Sequence, residues 1–181
     1  KIVQPSYTAL VLYLYREKPL CLFISLEAGG CRLHSTEKKI PKFDKPMRFM
    51  ELLKSRIKGA KIVQAEQIKA DRIVRLTFQT GGSVYLLYIR LWSGAANIIL
   101  TDENNTIVDA FYRRPSRHEV SGEPWQPLPQ EHHTAGTVET EAPDKPIKTY
   151  IVRSYDTSKT FNEAIDEWYA RQAPVLSLEA L

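Results

Sequence analysis

The sequence is poor in the residues that catalysis and metal binding usually need. It has two cysteines, Cys21 and Cys31, both in strand-like segments. Two cysteines alone do not make a zinc site. They read as buried thiols of a reducing compartment, with a disulfide permitted but not required. No Gly-rich phosphate loop, GxSxG or HExxH occurs, which removes the common nucleotide hydrolases, serine hydrolases and metalloproteases. His132 and His133 beside Glu131 are the nearest thing to a ligand cluster. In so polar a stretch they read as exposed side chains. No catalytic residue, metal or cofactor is therefore expected. No apolar run reaches the roughly 18 residues that a membrane span requires, so no membrane partner is expected either. A secretion signal is lacking too. The chain opens at Lys1 inside a strand-like run, which reads as part of a longer protein. The lack of a signal is thus no proof of cytosolic residence.

What is present is an ordinary hydrophobic share, 43% of 181 residues, enough for a real core. Charge is divided unevenly. Up to Ser121 there are 20 Lys/Arg against 11 Asp/Glu, a net of +9, and from Gly122 onward 5 against 10, a net of −5. A basic body with an acidic tail suits a polyanionic partner, although a merely solvated surface explains the same numbers.

Residues 8–17 and 19–27 are aromatic and β-branched runs split by Lys18-Pro19, a hairpin pattern. Leu10, Leu12 and Leu14 alternate with Val11, Tyr13 and Tyr15, as in a strand covered on both faces. Residues 31–36 form a short strand. At Pro46 the apolar period changes from two to about 3.6. Phe49, Leu52, Leu53 and Ile57, with Met50 beside them, make one helical stripe, with Pro46 suited to the first turn and Gly59 to the stop. Arg48, Lys54, Arg56 and Lys58 fall off the stripe. Strands are expected over 60–68, 72–78, 83–92, 96–102 and 106–114, with turns at Thr80-Gly81-Gly82 and Glu103-Asn104-Asn105. Short links between successive strands make an antiparallel meander, and with one helix the class is α+β. Residues 115–129 read as a proline-rich extended arm, 130–146 as a flexible linker, and 147–181 as an extended segment and an amphipathic helix over 161–173, capped by Thr160 or Ser158.

Two groups invite a functional reading. Arg113, Arg114 and Arg117, with His118, form a basic cluster suited to phosphate, or else a solvated strand end. Asp71 and Arg72 stand side by side between two strands. Neighbours on a strand face opposite ways, so one can fix the corner while the other faces a ligand. A purely structural corner remains the alternative.

The order of motifs resembles the N-terminal domain of the NFACT family, the RqcH- and NEMF-type ribosome quality-control factors that also bear the name fibronectin-binding proteins. The matching pieces are KIVQPS (1–6), the strand pair after it, CRLHST (31–36), FMELLKSRIKGAKI (49–62), ADRIV (70–74), ANIILTDENNTIVDA (96–110) and SGEPWQPLP (121–129). FNEAIDEWYARQA (161–173) resembles the segment leading into that family's coiled coil. The resemblance implies an antiparallel β-sandwich like the N-terminal domain of formamidopyrimidine-DNA glycosylases, over 1–129, with one central helix and a C-terminal helix. It does not carry glycosylase chemistry, which uses an N-terminus that this sequence lacks. It implies a non-enzymatic module that binds tRNA and the obstructed large ribosomal subunit in the cytoplasm. The alternative is a fibronectin-binding adhesin domain at the cell surface. In the family the Asp-Arg pair is tied to tRNA engagement, which falls here on Asp71 and Arg72. The other candidate RNA contacts are Arg113, Arg114, Arg117, Lys54 and Arg56.

Three features depart from the family pattern. The helix that precedes KIVQP, with a further functional Asp, is not in this sequence. Ser93-Gly94-Ala95-Ala96 stands where the family has a Gly-Arg-His-Ser type of turn, so two polar or basic contacts are lost. About 30 residues join the proline-rich arm to the 161–173 segment, too few for the helix-hairpin-helix domain usually inserted there.

Overall fold

The computed structural model describes residues 1–41, 45–69 and 71–127, together with Ser158, Thr160, Asn162, Glu163, Asp166 and Glu167. Residues 1–127 form one compact unit and 128–181 a second. Within the first unit, β1 (Ile2–Ser6), β2 (Ala9–Arg16), β3 (Lys18–Ser25) and β4 (Arg32–Ser35) make a four-stranded sheet in sequential order. A helix, α1 (Arg48–Ile57), then leads to β5 (Lys61–Gln67), β6 (Ile73–Thr80), β7 (Ser83–Arg90), β8 (Asn97–Asp102) and β9 (Ile107–Ala110), a five-stranded sheet, also in sequential order. All pairings are antiparallel. The sequence pattern predicts the antiparallel meanders with one helix, and their division into two sheets is what the family resemblance implies.

The two sheets and α1 share one core. Leu10, Leu12 and Ile24 meet Leu76, Leu87, Ile89 and Ile98, and the helix adds Phe49, Met50, Leu53 and Ile57. The apolar stripe is the one the 3.6-residue period marks, with Leu52 at its half-buried margin. The outer face of the five-stranded sheet is apolar as well. The segment after β9 folds back over it and buries Trp125 against Tyr88, Ile99 and Ile107. Thr106 and Pro124 are joined in an isolated bridge, and Trp125 N–H donates to the Asn105 carbonyl at 2.7 Å. The arm also holds a single 3₁₀ turn, Pro115–Arg117.

Several local expectations are corrected. Pro46 lies outside the helix, because Met47 is the N-cap. Gly59 does follow the C-cap Lys58 with φ 80°, the left-handed stop that glycine adopts without strain. The first hairpin turns on Glu17 (φ 59°) and not on Lys18-Pro19. Pro19 sits inside β3 opposite Tyr15. β4 pairs only with Leu22–Ser25, so Pro19 lies on a free edge where its missing N–H costs nothing. β2 is covered on both faces at Val11 but not at Tyr15, which is 78% exposed where the hairpin runs beyond the core. β9 is shorter than expected, ending at Ala110. Cys21 and Cys31 are free thiols, half-buried and not buried.

In the second unit, Thr160 Oγ1 accepts the Glu163 N–H at 3.4 Å while the Glu163 carboxylate takes the Thr160 N–H at 2.7 Å. That reciprocal pair is a capping box, and it settles the cap on Thr160. Asn162, Glu163, Asp166 and Glu167 are helical. The expected linker over 130–146, His132-His133 and the rest of the 161–173 segment lie outside the described residues.

Candidate nucleic-acid interface

Antiparallel meanders return alternate connections to the same end. One end of the sandwich therefore gathers the β1–β2 turn, the loop before β4, the corner before β6, the 91–96 turn and the start of the arm. The two sheets are tied there by a hydrogen bond from Tyr112 Oη to the Tyr7 carbonyl at 3.0 Å.

Asp71 and Arg72 lie in the bend just before β6. The backbone closes that bend with Asp71 N–H to the Ile68 carbonyl and Leu91 N–H to the Arg72 carbonyl. Gln67 Nε2 holds the Asp71 carbonyl at 2.7 Å. Asp71 Oδ1 accepts both the Arg72 backbone N–H at 2.6 Å and the indole N–H of Trp92 at 2.9 Å. Asp71 is half-buried, while Arg72 is exposed and its guanidinium makes no hydrogen bond or ion pair among the described residues. One member fixes the corner and the other faces solvent.

The Arg72 charge also acts on Cys31, in the loop before β4. Burial pushes the Cys31 thiol up, and the Arg72 charge pulls it partly back. Tyr112 is likewise pushed up by burial, opposed by Arg114 and reinforced by Cys31. Arg114 lies over the Tyr112 ring at 5.4 Å and donates to the Ala96 carbonyl at 3.1 Å. Arg72 and Arg114, more than 40 residues apart in the chain, thus flank one small cluster. Arg117 is exposed on the 3₁₀ turn beside them, and it acts with Arg114 on buried Arg90.

The other sequence candidates go elsewhere. Arg113 is bound to buried Asp109 at 3.0 Å, and Arg48 binds the same carboxylate. The bond to Asp109 raises the Arg113 pKa. Lys54 pairs with Glu51 at 2.7 Å on α1. It also lines a groove of about 470 Å³ between β1 and α1, together with Lys1, Lys45 and Lys58. Arg56 is exposed on the helix. Lys54 and Arg56 do not join the Arg72 cluster in the described contacts.

Sequence reasoning missed the buried frame beneath the cluster. Arg90 is 1% exposed, ion-paired to buried Glu119, and donates from Nε to the Ala95 carbonyl at 2.8 Å. The Trp92 and Trp125 rings lie 5.1 and 5.4 Å from its guanidinium. Burial pushes the Arg90 pKa down, and the Glu119 hydrogen bond opposes the shift. Asn97 faces Arg90 across β7 and β8 and donates to Glu119 Oε2 at 2.6 Å and to the Tyr112 carbonyl at 2.8 Å. This knot holds the 93–96 turn and the arm together. It fixes where Arg114 and Arg117 stand. Among the described residues, no three His, Cys, Asp or Glu side chains gather as metal ligands would, and no helix is long and apolar enough to cross a membrane.

Residues 1–149 match the NFACT N-terminal and middle domains. The chain belongs to the NFACT family. Similar proteins include the human ribosome quality control complex subunit NEMF, 35% identical over 98 residues, which is 54% of this chain and 9% of NEMF. Another is the archaeal Rqc2 homolog aRqcH of Methanocaldococcus jannaschii, 31% identical over 106 residues, covering 51% of this chain and 15% of aRqcH. The chain thus spans a small part of the curated relatives it matches. Among solved structures, the N-terminal part of the fibronectin/fibrinogen-binding protein of Streptococcus suis superposes with a TM-score of 0.67 at 21% identity, over 72% of this chain and 53% of that one. The fibrinogen binding protein of Staphylococcus aureus gives the same TM-score and identity over 96% and 74%. At that identity the structural likeness establishes the shared NFACT fold.

Proposed function

We propose that this NFACT chain is a non-enzymatic, cytoplasmic module that binds tRNA and the obstructed large ribosomal subunit within a ribosome quality-control factor. The observation that carries the reading is the division of work at the corner. Asp71 is held by Trp92 and by the backbone, so the Arg72 backbone is set at the corner while its guanidinium, without a polar partner among the described residues, faces solvent. Arg114 and Arg117 stand on the same end of the fold. A guanidinium carried on a held backbone corner suits phosphate oxygens, which position RNA on a protein surface. Family membership, with relatives named as ribosome quality control complex subunits, supports the same direction.

The test is co-sedimentation of the protein with large subunits and tRNA at low salt, where phosphate-driven binding is strongest. Binding that Arg72→Ala reduces is the expected result. No association at low salt would sink the reading.

A second reading, binding to fibronectin, is favoured by one structural feature. β5 is the edge of its sheet, and Val63 on it is 49% exposed. Such an edge accepts an extended peptide by strand addition. The solved relatives named for fibronectin binding share the fold. Surface capture on immobilised fibronectin that is lost on Val63→Pro, which breaks the free edge, would favour this reading.

A further inference from the structure

We propose that the tip of the β2–β3 hairpin is a second RNA contact, a finger in which Arg16 and Lys18 meet backbone phosphates on one face and the Tyr15 ring meets an unpaired base on the other. The proposal rests on the RNA-binding reading above and adds a contact remote from Arg72.

Every residue from Tyr15 to Leu20 is exposed. The ladder beneath them is unbroken, from Ala9 opposite Ser25 to Arg16 opposite Lys18. The hairpin therefore projects beyond the core as a continuous extension of its sheet. Side chains alternate along it, so Arg16 and Lys18 share one face with Leu14 and Leu20, while Tyr15 and Pro19 share the other. Arg16 and Lys18 stand directly opposite each other, and like charges in that position destabilise a strand pair. Glu17 between them turns the chain with φ 59°. None of the three forms an ion pair among the described residues. On the other face, Tyr13 already carries the Lys1 ammonium at 5.3 Å and meets Cys21 across the strands. Tyr15 is 78% exposed and makes no ring contact or hydrogen bond among the described residues.

The chemistry of the tip selects RNA. Uncompensated cations on an exposed finger suit a polyanion. Addition of a peptide strand is disfavoured, because Lys18 and Pro19 occupy the open edge of β3. A charge and a missing N–H resist pairing there. What remains is side-chain contact, and an open aromatic face accepts a base of any kind. A duplex hides its base faces, so the ring calls for a loop or a bulge. Ser25 pairs with both Ala9 and Arg32, so Cys31, on which the Arg72 charge acts, lies at the far end of the hairpin. The eight residues of β2 span about 25 Å. One structured RNA can reach both ends.

The experiment uses the full chain and two RNAs of equal length, a stem-loop and a fully paired duplex, by fluorescence anisotropy at low salt. Arg16→Gln combined with Lys18→Gln is expected to weaken both and to make the slope of log affinity against log salt shallower by about two. Tyr15→Ala should weaken the stem-loop by about 5- to 100-fold, the range for loss of one stacked base, and leave the duplex unchanged. Tyr15→Phe should bind as the parent does. Lys18→Glu sets opposite charges across the tip, so its urea midpoint should hold or rise while RNA affinity falls. Unchanged RNA affinity in the glutamine double variant overturns the finger, and so does an equal loss on both RNAs in Tyr15→Ala. If Arg72→Ala weakens binding and the hairpin variants do not, the RNA reading stands and the finger fails. If the parent chain binds neither RNA, the RNA reading itself fails and the finger with it.

Discussion

The Asp71 carboxylate accepts the indole N–H of Trp92 at 2.9 Å, and the same oxygen caps the backbone N–H of Arg72. The corner before β6 is thereby locked to the end of β7. Asp71 and Arg72 are adjacent, yet their consequences on mutation separate.

Asp71→Ala removes the acceptor of both bonds and leaves the indole N–H without it. The expected loss of stability is about 1–2 kcal/mol, read by urea denaturation. Arg72→Ala removes an exposed side chain with no polar partner among the described residues. Stability should stay within about 0.5 kcal/mol, while RNA affinity and its salt slope fall. Equal destabilisation by both substitutions would argue against this division of roles.

The ion pair of Arg90 and Glu119 predicts a different pattern, because both partners are buried. Glu119→Ala leaves an uncompensated guanidinium between two tryptophan rings. Breaking such a pair costs about 3–5 kcal/mol. Replacing both, Arg90→Met with Glu119→Leu, should recover much of that loss, since the stranded charge is gone. The comparison is a double-mutant cycle read by chemical denaturation. Losses that simply add would show that the two side chains act independently.

How much of this was legible follows from the range of each interaction. The strands and α1 declare themselves through local period. Leu10, Leu12 and Leu14 alternate, and Phe49, Leu53 and Ile57 recur at helical spacing. Asp71 and Arg72 stood out because they are adjacent. Arg113 reads on sequence as one of a basic cluster, and its pairing with buried Asp109, four residues before it, shows only in the fold. Arg90 and Glu119 are 29 residues apart. No periodicity rule links them, and Arg90 reads on sequence as one more surface cation at a strand end. The bond from Tyr112 to the Tyr7 carbonyl that ties the two sheets was likewise invisible, since the residues are 105 apart.

The helix is where core packing is tested. Leu53 is fully buried between the sheets with Phe49 and Ile57. Leu53→Ala deletes methyl groups that the surroundings cannot readily refill, at an expected cost of about 2–5 kcal/mol. The same substitution at Leu52, on the half-buried margin, should cost clearly less. Denaturation midpoints of the two variants check the ranking.

Cys31 reports on Arg72 without any RNA. Burial raises the thiol pKa, and the Arg72 charge lowers it in part by favouring the thiolate. In a Cys21→Ser background, alkylation of Cys31 by iodoacetamide should therefore be slower than that of a free cysteine at mildly alkaline pH, because only the thiolate reacts. Arg72→Ala removes the favourable charge, so the pKa rises further and alkylation slows again at the same pH. The sign extends to stability. With the folded pKa above the unfolded one, the unfolded chain gives up its proton first. The contribution is present below the unfolded thiol value and is lost as pH rises through the folded one. A pH series of alkylation rates for the parent and Arg72→Ala checks the shift. A faster rate in the variant would mean that the Arg72 charge does not favour the thiolate.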